Sequence, residues 1–308
     1  MSAPEDVHIL AQQRAQARVD RDFARADELR DLIDDAGWRV IDTPEGFRLE
    51  EKPPFDVLSG LTEPLTEPVV HAPLVICVIL DGWPHDVREC VQSLIDHAPG
   101  DARILLLDCG NVDGVGLLAE EWVSSSPGRV HVLHFSGTVE DLGWANLISA
   151  AIDSSAGEVF AIMDMSTIVE GDAFTTLLAE LDAPGVVATG WQGANVDVDD
   201  AWRSFTPGGL GEVDAVLGYL MVFRRSAIEH VRPDPKARFY RNADMEWSLA
   251  LREAGGRIRI PDVPLPIRQG RHHGYHDSNP EYRDKQSKKT YDRLLQRFRG
   301  KEQILAPR

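Results

Sequence analysis

Beyond residue 74 the chain alternates between two hydrophobic rhythms. LVICVIL (74–80) is continuously apolar and rich in β-branched residues, the mark of a strand covered on both faces. HDVRECVQSLIDHA (85–98) follows, with Val87, Cys90, Val91, Leu94 and Ile95 at helical spacing. The alternation then repeats: ARILLLDCG as strand, GVGLLAEEWV as helix, RVHVLHF as strand, GWANLISAAIDSS as helix, and VFAIMD as strand again. This pattern predicts an α/β sheet with helices on its faces. Ligands of open α/β sheets bind beyond the carboxyl ends of the strands, and three of these strands end in an acid: Asp81, Asp108 and Asp164. One such acid is commonly a turn former. Three on successive parallel strands would converge on one rim, suited to a metal ion or to ribose hydroxyls.

The ends of the chain read differently. Residues 5–37 are rich in helix formers, and Phe23, Ala26, Leu29, Ile33 and Ala36 form one apolar stripe. Asp20 or Asp22 caps this second helix and Gly37 ends it. WRVIDTPEGFRLEE (38–51) predicts two short strands around a Thr43-Pro44-Glu45-Gly46 turn. Residues 52–73 hold five prolines and little periodicity, as an extended linker or a strap over the next domain does. Near the far end, Tyr291, Leu294, Leu295 and Phe298 make the inward face of an amphipathic helix. The expected organisation is a small module at 1–51, a linker at 52–73, an α/β domain at 74–268 and a basic segment at 269–308.

Composition narrows the function. A net charge of −18 opposes general nucleic-acid binding, because a phosphate backbone would repel the chain. The charge is uneven, with eleven Lys/Arg against five Asp/Glu from Arg268 to Arg308. That tail reads as a solvated helix face, or as a surface for a diphosphate or for lipid headgroups at a membrane periphery. Cys77, Cys90 and Cys109 lack metal-ligand spacing and two of them sit in or beside apolar runs, so reduced core thiols are expected. The start MSAPEDVHIL has neither the basic residues nor the apolar core of a signal peptide, and no apolar stretch approaches the ~20 residues of a membrane span. A cytoplasmic protein is expected.

Residues 74 to about 298 resemble family 2 glycosyltransferases of the GT-A fold, of the actinobacterial type. The resemblance rests on VICVILDGWPHDVRECVQSLIDHAP, ILLLDCGNVDG, GWANLISAAIDSSAGEVFAIMDMSTIVEGDAFTTLLAEL, VDAVLGYLMVFRRSAIEHV and FYRNADMEWSLALREAGGRIRIPDVPL, which arrive in family order. It implies an α/β GT-A fold with a Rossmann-like mixed sheet, and inverting transfer from a nucleotide sugar to a hydroxyl of a cell-envelope glycan or lipid-linked acceptor. It implies donor contacts at Asp81, Asp108, Asn146, Asp164, Ser166 and Arg271. Asp164 matches the first acid of the family's DxD motif and Ser166 stands where the second usually lies, so a divalent cation (Mn²⁺ or Mg²⁺) is held loosely or not tightly required. Asp244 matches the catalytic base, with Ala243 in place of the family's preceding acid. His273 is the implied metal-ligating histidine, and Arg271 and Arg268 are placed to meet the diphosphate. FTPGGLGE (205–212) reads as a lid over the site, its paired glycines serving as hinges.

The first fifty residues, from RAQARVDRDFARADELRD through GW to DTPEGFRL, resemble the C-terminal module of cysteinyl-tRNA synthetases. No synthetase nucleotide or zinc motif accompanies it, so a packing module is expected rather than RNA contact. Two rivals to the enzyme stay open: a non-catalytic nucleotide-sugar binder, favoured by Ser166 and Ala243, and a translation-linked scaffold defined by the front module.

Overall fold

The computed structural model describes residues 3–43, 46–61, 70–270 and 279–307. The chain divides into two compact units, Met1–Asp56 and Val57–Arg308.

In the small unit, helices α1 (Glu5–Val19) and α2 (Phe23–Asp35) precede an antiparallel pair, β1 (Trp38–Thr43) and β2 (Gly46–Glu51). Asp22 caps α2 by accepting from the Arg25 N–H, and Gly37 follows it at φ +82°. Val7, Ala11, Ile33 and Trp38 form one core cluster, and Ala17, Ala26 and Leu29 another. The stripe expected along α2 is therefore buried only in its middle. Phe23 and Ala36, at the helix ends, are exposed.

The large unit is built on an eight-stranded mixed sheet. Its strands and principal helices are β3 (Leu74–Leu80), α3 (Pro84–His97), β4 (Arg103–Cys109), α4 (Val115–Ser125), β5 (Val130–Phe135), α5 (Trp144–Asp153), β6 (Val159–Met163), β7 (Thr167–Val169), α6 (Phe174–Leu181) and β8 (Val186–Gly190). Next come β9 (Gly193–Val196), β10 (Phe205–Pro207), β11 (Gly211–Glu212), β12 (Ala215–Val216), β13 (Leu220–Arg224), α7 (Ala243–Glu253), β14 (Arg257–Ile260), β15 (Ile267–Gln269) and α8 (Pro280–Phe298). The sheet order is β11-β14-β8-β13-β6-β3-β4-β5. Strands β5, β4, β3 and β6 run parallel, β13 is antiparallel to both β6 and β8, and β14 is parallel to β8.

Both faces are covered, which explains the continuous apolar strands. Leu74, Ile76, Val78 and Leu80 pack with residues of α3, α4 and α6, while Val75 and Cys77 pack with α5 and α7. The three cysteines are buried free thiols, and burial pushes each of them up. The outer edge of β5 is closed by the chain itself: Leu58 donates to His134 O at 2.8 Å and accepts from the Ser136 N–H at 3.0 Å. The proline-rich stretch thus straps the large unit at this point, covering an edge that would otherwise offer unpaired backbone.

Strand alternation sends Asp108 to the α4 face. Its carboxylate is fully buried and accepts from the Asn111 N–H at 3.0 Å and from His134 Nδ1 at 2.7 Å. The second ring nitrogen of His134 meets Glu120 at 2.9 Å. The N-terminus of α4 sits directly on this network, and a Cβ at Gly116 would stand 2.3 Å from Asp108 Oδ2. Gly116→Ala must therefore push α4 off the strand end; an overpacking loss of about 1–3 kcal/mol is expected in urea unfolding.

Among the described residues, part of the basic C-terminal segment is neutralised within the fold. On α8, Arg293 pairs with Glu246 and Asp234, and Arg297, with Lys301 just beyond the helix, pairs with Glu253. Glu246 is almost wholly buried, and burial pushes its carboxyl up against the downward pull of Arg293. Arg293→Met would strand that buried acid, an expected loss of about 3–5 kcal/mol. Adding Glu246→Gln should recover most of it; equal losses in single and double variants would refute the pairing.

Candidate active site

Asp81, Asp164 and Asp244 line one small cavity of about 70 Å³. Paired residues of parallel strands face the same side, and Cys77 pairs with both Leu105 and Ile162. Counting from that rung, Asp81 lies four residues on and Asp164 two, which are even steps to the same side. Asp108 lies three on from Leu105 and so faces the opposite side. It does not line the cavity. Its ring of partners holds the loop after β4 instead of offering an acceptor edge to a ligand.

Asp164 is fixed from several directions. Its N–H donates to Tyr219 O at 3.0 Å, and its Oδ1 accepts from Ser166 N at 2.8 Å and Ser166 Oγ at 2.5 Å. Ser166 is 1% exposed, so it orients Asp164 rather than reaching a ligand. This departs from its expected place among donor contacts: a two-residue turn closes its hydroxyl back onto the acid before it. The Cys90 thiol on α3 contacts the Asp164 carbonyl at 3.8 Å from below.

Asp244 opens α7. Asn242 precedes it in a left-handed conformation, φ +68°, and donates from Nδ2 to Ser287 O on α8 at 3.1 Å. Asp244 Oδ2 accepts from the Gly218 N–H at 2.9 Å and Oδ1 from the Met245 N–H at 2.8 Å. The neighbouring Ala243 is buried and belongs to the core cluster on the α5 and α7 face of the sheet. An acid there would have entered the core and not the cavity, so this substitution removes no charge from the site.

Asp244, Gly218 and Tyr240 also border a second, larger cavity of about 510 Å³. Its wall includes Phe205, Tyr219, Arg241 and Arg283. Asp244 thus stands where the two spaces meet. Tyr219 packs edge-on against Trp191, and its phenol is pushed up by burial first and then by Asp244 and Asp164. The sequence signals Tyr240 and Arg241 only through the cluster FYR just ahead of the candidate base, and Tyr219 through no motif.

Other expected residues lie elsewhere. Asn146 spends its amide on Leu142 O at 2.9 Å, one helical turn back, and lines neither cavity. Arg268 pairs with Glu170 at 2.8 Å and with Glu89 at 3.6 Å, so its charge is met within the protein. Arg271 and His273 lie outside the described residues. The stretch read as a lid is pinned by strand pairing, β10 on β9 and β11 on β14, and Phe205, Thr206 and Pro207 line the larger cavity. Among the described residues no cluster of three or more His, Cys, Asp or Glu is placed to hold a metal ion.

Solved structures share this architecture. A mannosyltransferase from Pyrobaculum calidifontis, determined with GDP-Man and Mn²⁺, is 17% identical, with a TM-score of 0.52 over 73% of this chain and 63% of that one. GalNAc-T7, determined with UDP, GalNAc and Mn²⁺, is 16% identical, with a TM-score of 0.60 over 73% of this chain and 48% of that one. At such identity the likeness is one of fold, the GT-A fold. The N-terminal region matches cysteine–tRNA ligases in part. It is 43% identical over 68 residues to that of Burkholderia lata and 55% over 42 residues to that of Enterococcus faecalis. The matched segments span 13% and 9% of those ligases. The profile of Glycosyl transferase family 2 matches residues 74–245, more than half of the chain, and takes in all three cavity acids. The chain belongs to glycosyl transferase family 2.

Proposed function

We propose that the protein transfers a sugar from a nucleotide-sugar donor to a hydroxyl of a glycan or lipid-linked acceptor, with inversion at the anomeric carbon. One observation carries this reading: Asp81, Asp164 and Asp244 share a cavity, and Asp244 alone of the three also opens onto the larger one. On this reading only the reacting end of the donor comes to the small cavity, and the acceptor takes the large one. On the donor side Asp81 accepts hydrogen bonds from the base or ribose. Across the junction, the acceptor hydroxyl gives its proton to Asp244 while its oxygen bonds to the anomeric carbon. The bond from that carbon to the diphosphate oxygen breaks, and the nucleoside diphosphate leaves with the electron pair. One displacement of this kind inverts the configuration. The Gly218 and Met245 N–H groups keep Asp244 aimed at that junction.

The residues fit a divalent cation held jointly with phosphate oxygens. Hard cations in such sites take one or two protein carboxylates and complete their shell from the ligand, and Asp164, oriented by Ser166, is such a carboxylate. Mn²⁺ or Mg²⁺ bound there would act as a Lewis acid on the departing diphosphate.

A second reading, a binder without turnover, is favoured by Ser166 standing where a second acid is expected. Titration with a panel of nucleotide sugars, with Mn²⁺ or with chelator, separates the two: donor turnover supports the enzyme, and tight binding without turnover supports the binder. Asp244→Asn should lower turnover about 10²–10⁴-fold while donor affinity stays near wild type; unchanged turnover removes it as base. Asp164→Asn should abolish the difference between Mn²⁺ and chelator in donor binding, measured by calorimetry.

A further inference from the structure

The larger cavity has a charge balance opposite to that of the chain. The protein carries 50 acids against 32 Lys/Arg. Among the described residues lining this cavity, two arginines, Arg241 and Arg283, stand against one acid, Asp244. Those arginines come from different elements: Arg241 lies on the turn leading into α7, and Arg283 lies on the first turns of α8. Asn242, between Arg241 and the base, is tied to Ser287 O on α8, so the two carriers are held together. Asp284, outside the cavity lining, meets Arg283 Nε at 2.8 Å and acts electrostatically on Arg241 as well. It is fully exposed, and water screens its hold on both. A guanidinium has five N–H donors and tolerates more than one acceptor.

The remaining wall is apolar and aromatic. Phe205 and Pro207 stand with Tyr219 and Tyr240, and Tyr240 stacks on Phe239 at 4.3 Å between ring centroids. Aromatic faces bind the apolar faces of sugar rings, and phenol hydroxyls supply polar contacts. A volume of about 510 Å³ lies within the ordinary range for small-molecule sites, roughly 300–1,000 Å³.

Resting on the reading of this site as that of a glycosyltransferase, we propose that the acceptor is a sugar carrying an anionic group, a phosphate ester or a carboxylate, which Arg241 and Arg283 bind while the ring lies against Tyr240. The arginines then act as the specificity determinants of the acceptor site, separate from the donor acids. Placing the charge at the arginines leaves the neutral end of the sugar, with its hydroxyl, toward Asp244.

The test uses the full chain saturated with the nucleotide that the donor panel selects. Glucose, mannose and galactose are each supplied as the neutral sugar, as its phosphate monoester and as its uronic acid, and affinities are read by calorimetry. At least one charged form should bind tenfold or more tighter than its neutral parent, and raised salt should shrink the gap. The phosphate and uronic arms distinguish the two sources of charge. Arg241→Gln should weaken the charged probe about tenfold, and Arg241→Gln with Arg283→Gln should erase the preference. An unchanged melting temperature shows that the exposed Arg241 has been replaced without harm to folding. Neutral and charged forms binding alike, neither binding, or a preference that survives both substitutions would each overturn the proposal. Donor turnover is measured separately: if it is absent while the arginine-dependent preference persists, the enzymatic reading falls and the anion site stands.

Discussion

Negative charge gathered in a confined space governs this structure. Three carboxylates share the wall of a cavity of about 70 Å³ in a chain whose net charge is already −18. Carboxylates that share a confined site repel one another when ionised. The fold offsets such repulsion with fixed donors. Ser166 gives Asp164 both its N–H and its hydroxyl, and Gly218 and Met245 give Asp244 two N–H groups. The field is visible on a neighbour, since Asp244 and Asp164 add to the burial that pushes up the Tyr219 phenol. A site built this way is prepared for hydrogen-bond donors and cations before any ligand arrives.

The same region concentrates unusual backbone. Trp83 follows Asp81 by two residues at φ +59°, Asn111 and Asp113 follow Asp108 at +49° and +53°, and Asn242 precedes Asp244 at +68°. Residues other than glycine held in this region cost about 1–3 kcal/mol each, and they persist where the surrounding structure over-determines them. Here the surroundings are legible. Pro84 starts α3 immediately after Trp83, the Asp108 carboxylate clamps the Asn111 N–H, and α8 holds the Asn242 side chain. Each strained turn leads out of a strand end or into the helix that carries an acid. Asp108 is thus central without touching the cavity, because it braces one of those turns.

The basic segment has a related role. Arg293, Arg297 and Lys301 bind Glu246, Asp234 and Glu253, which fastens α8 to α7. Three of the eleven Lys/Arg of the basic run thus act as a clamp within the large unit. On the first turns of α8, Arg283, paired with Asp284, lines the larger cavity.

Composition and periodicity determined the layered α/β fold, the covered sheet and the acids at strand ends, because a strand buried on both faces must be apolar along its whole length and a polar residue marks where it leaves the core. The Asp244 position was legible from the helix that follows it and from family likeness. Tertiary structure alone decided which acids meet. The step from Cys77 to Asp81 and from Ile162 to Asp164 is even, and from Leu105 to Asp108 it is odd. That parity depends on interstrand register, which no single strand encodes. The fates of Asn146, Ser166 and Arg268 were hidden for a similar reason: each is met by a partner, and a one-dimensional pattern shows what a side chain can bind but not what it has already bound. The pairing of Arg241 with Arg283 across about forty residues of sequence exists only because α8 folds back onto the start of α7.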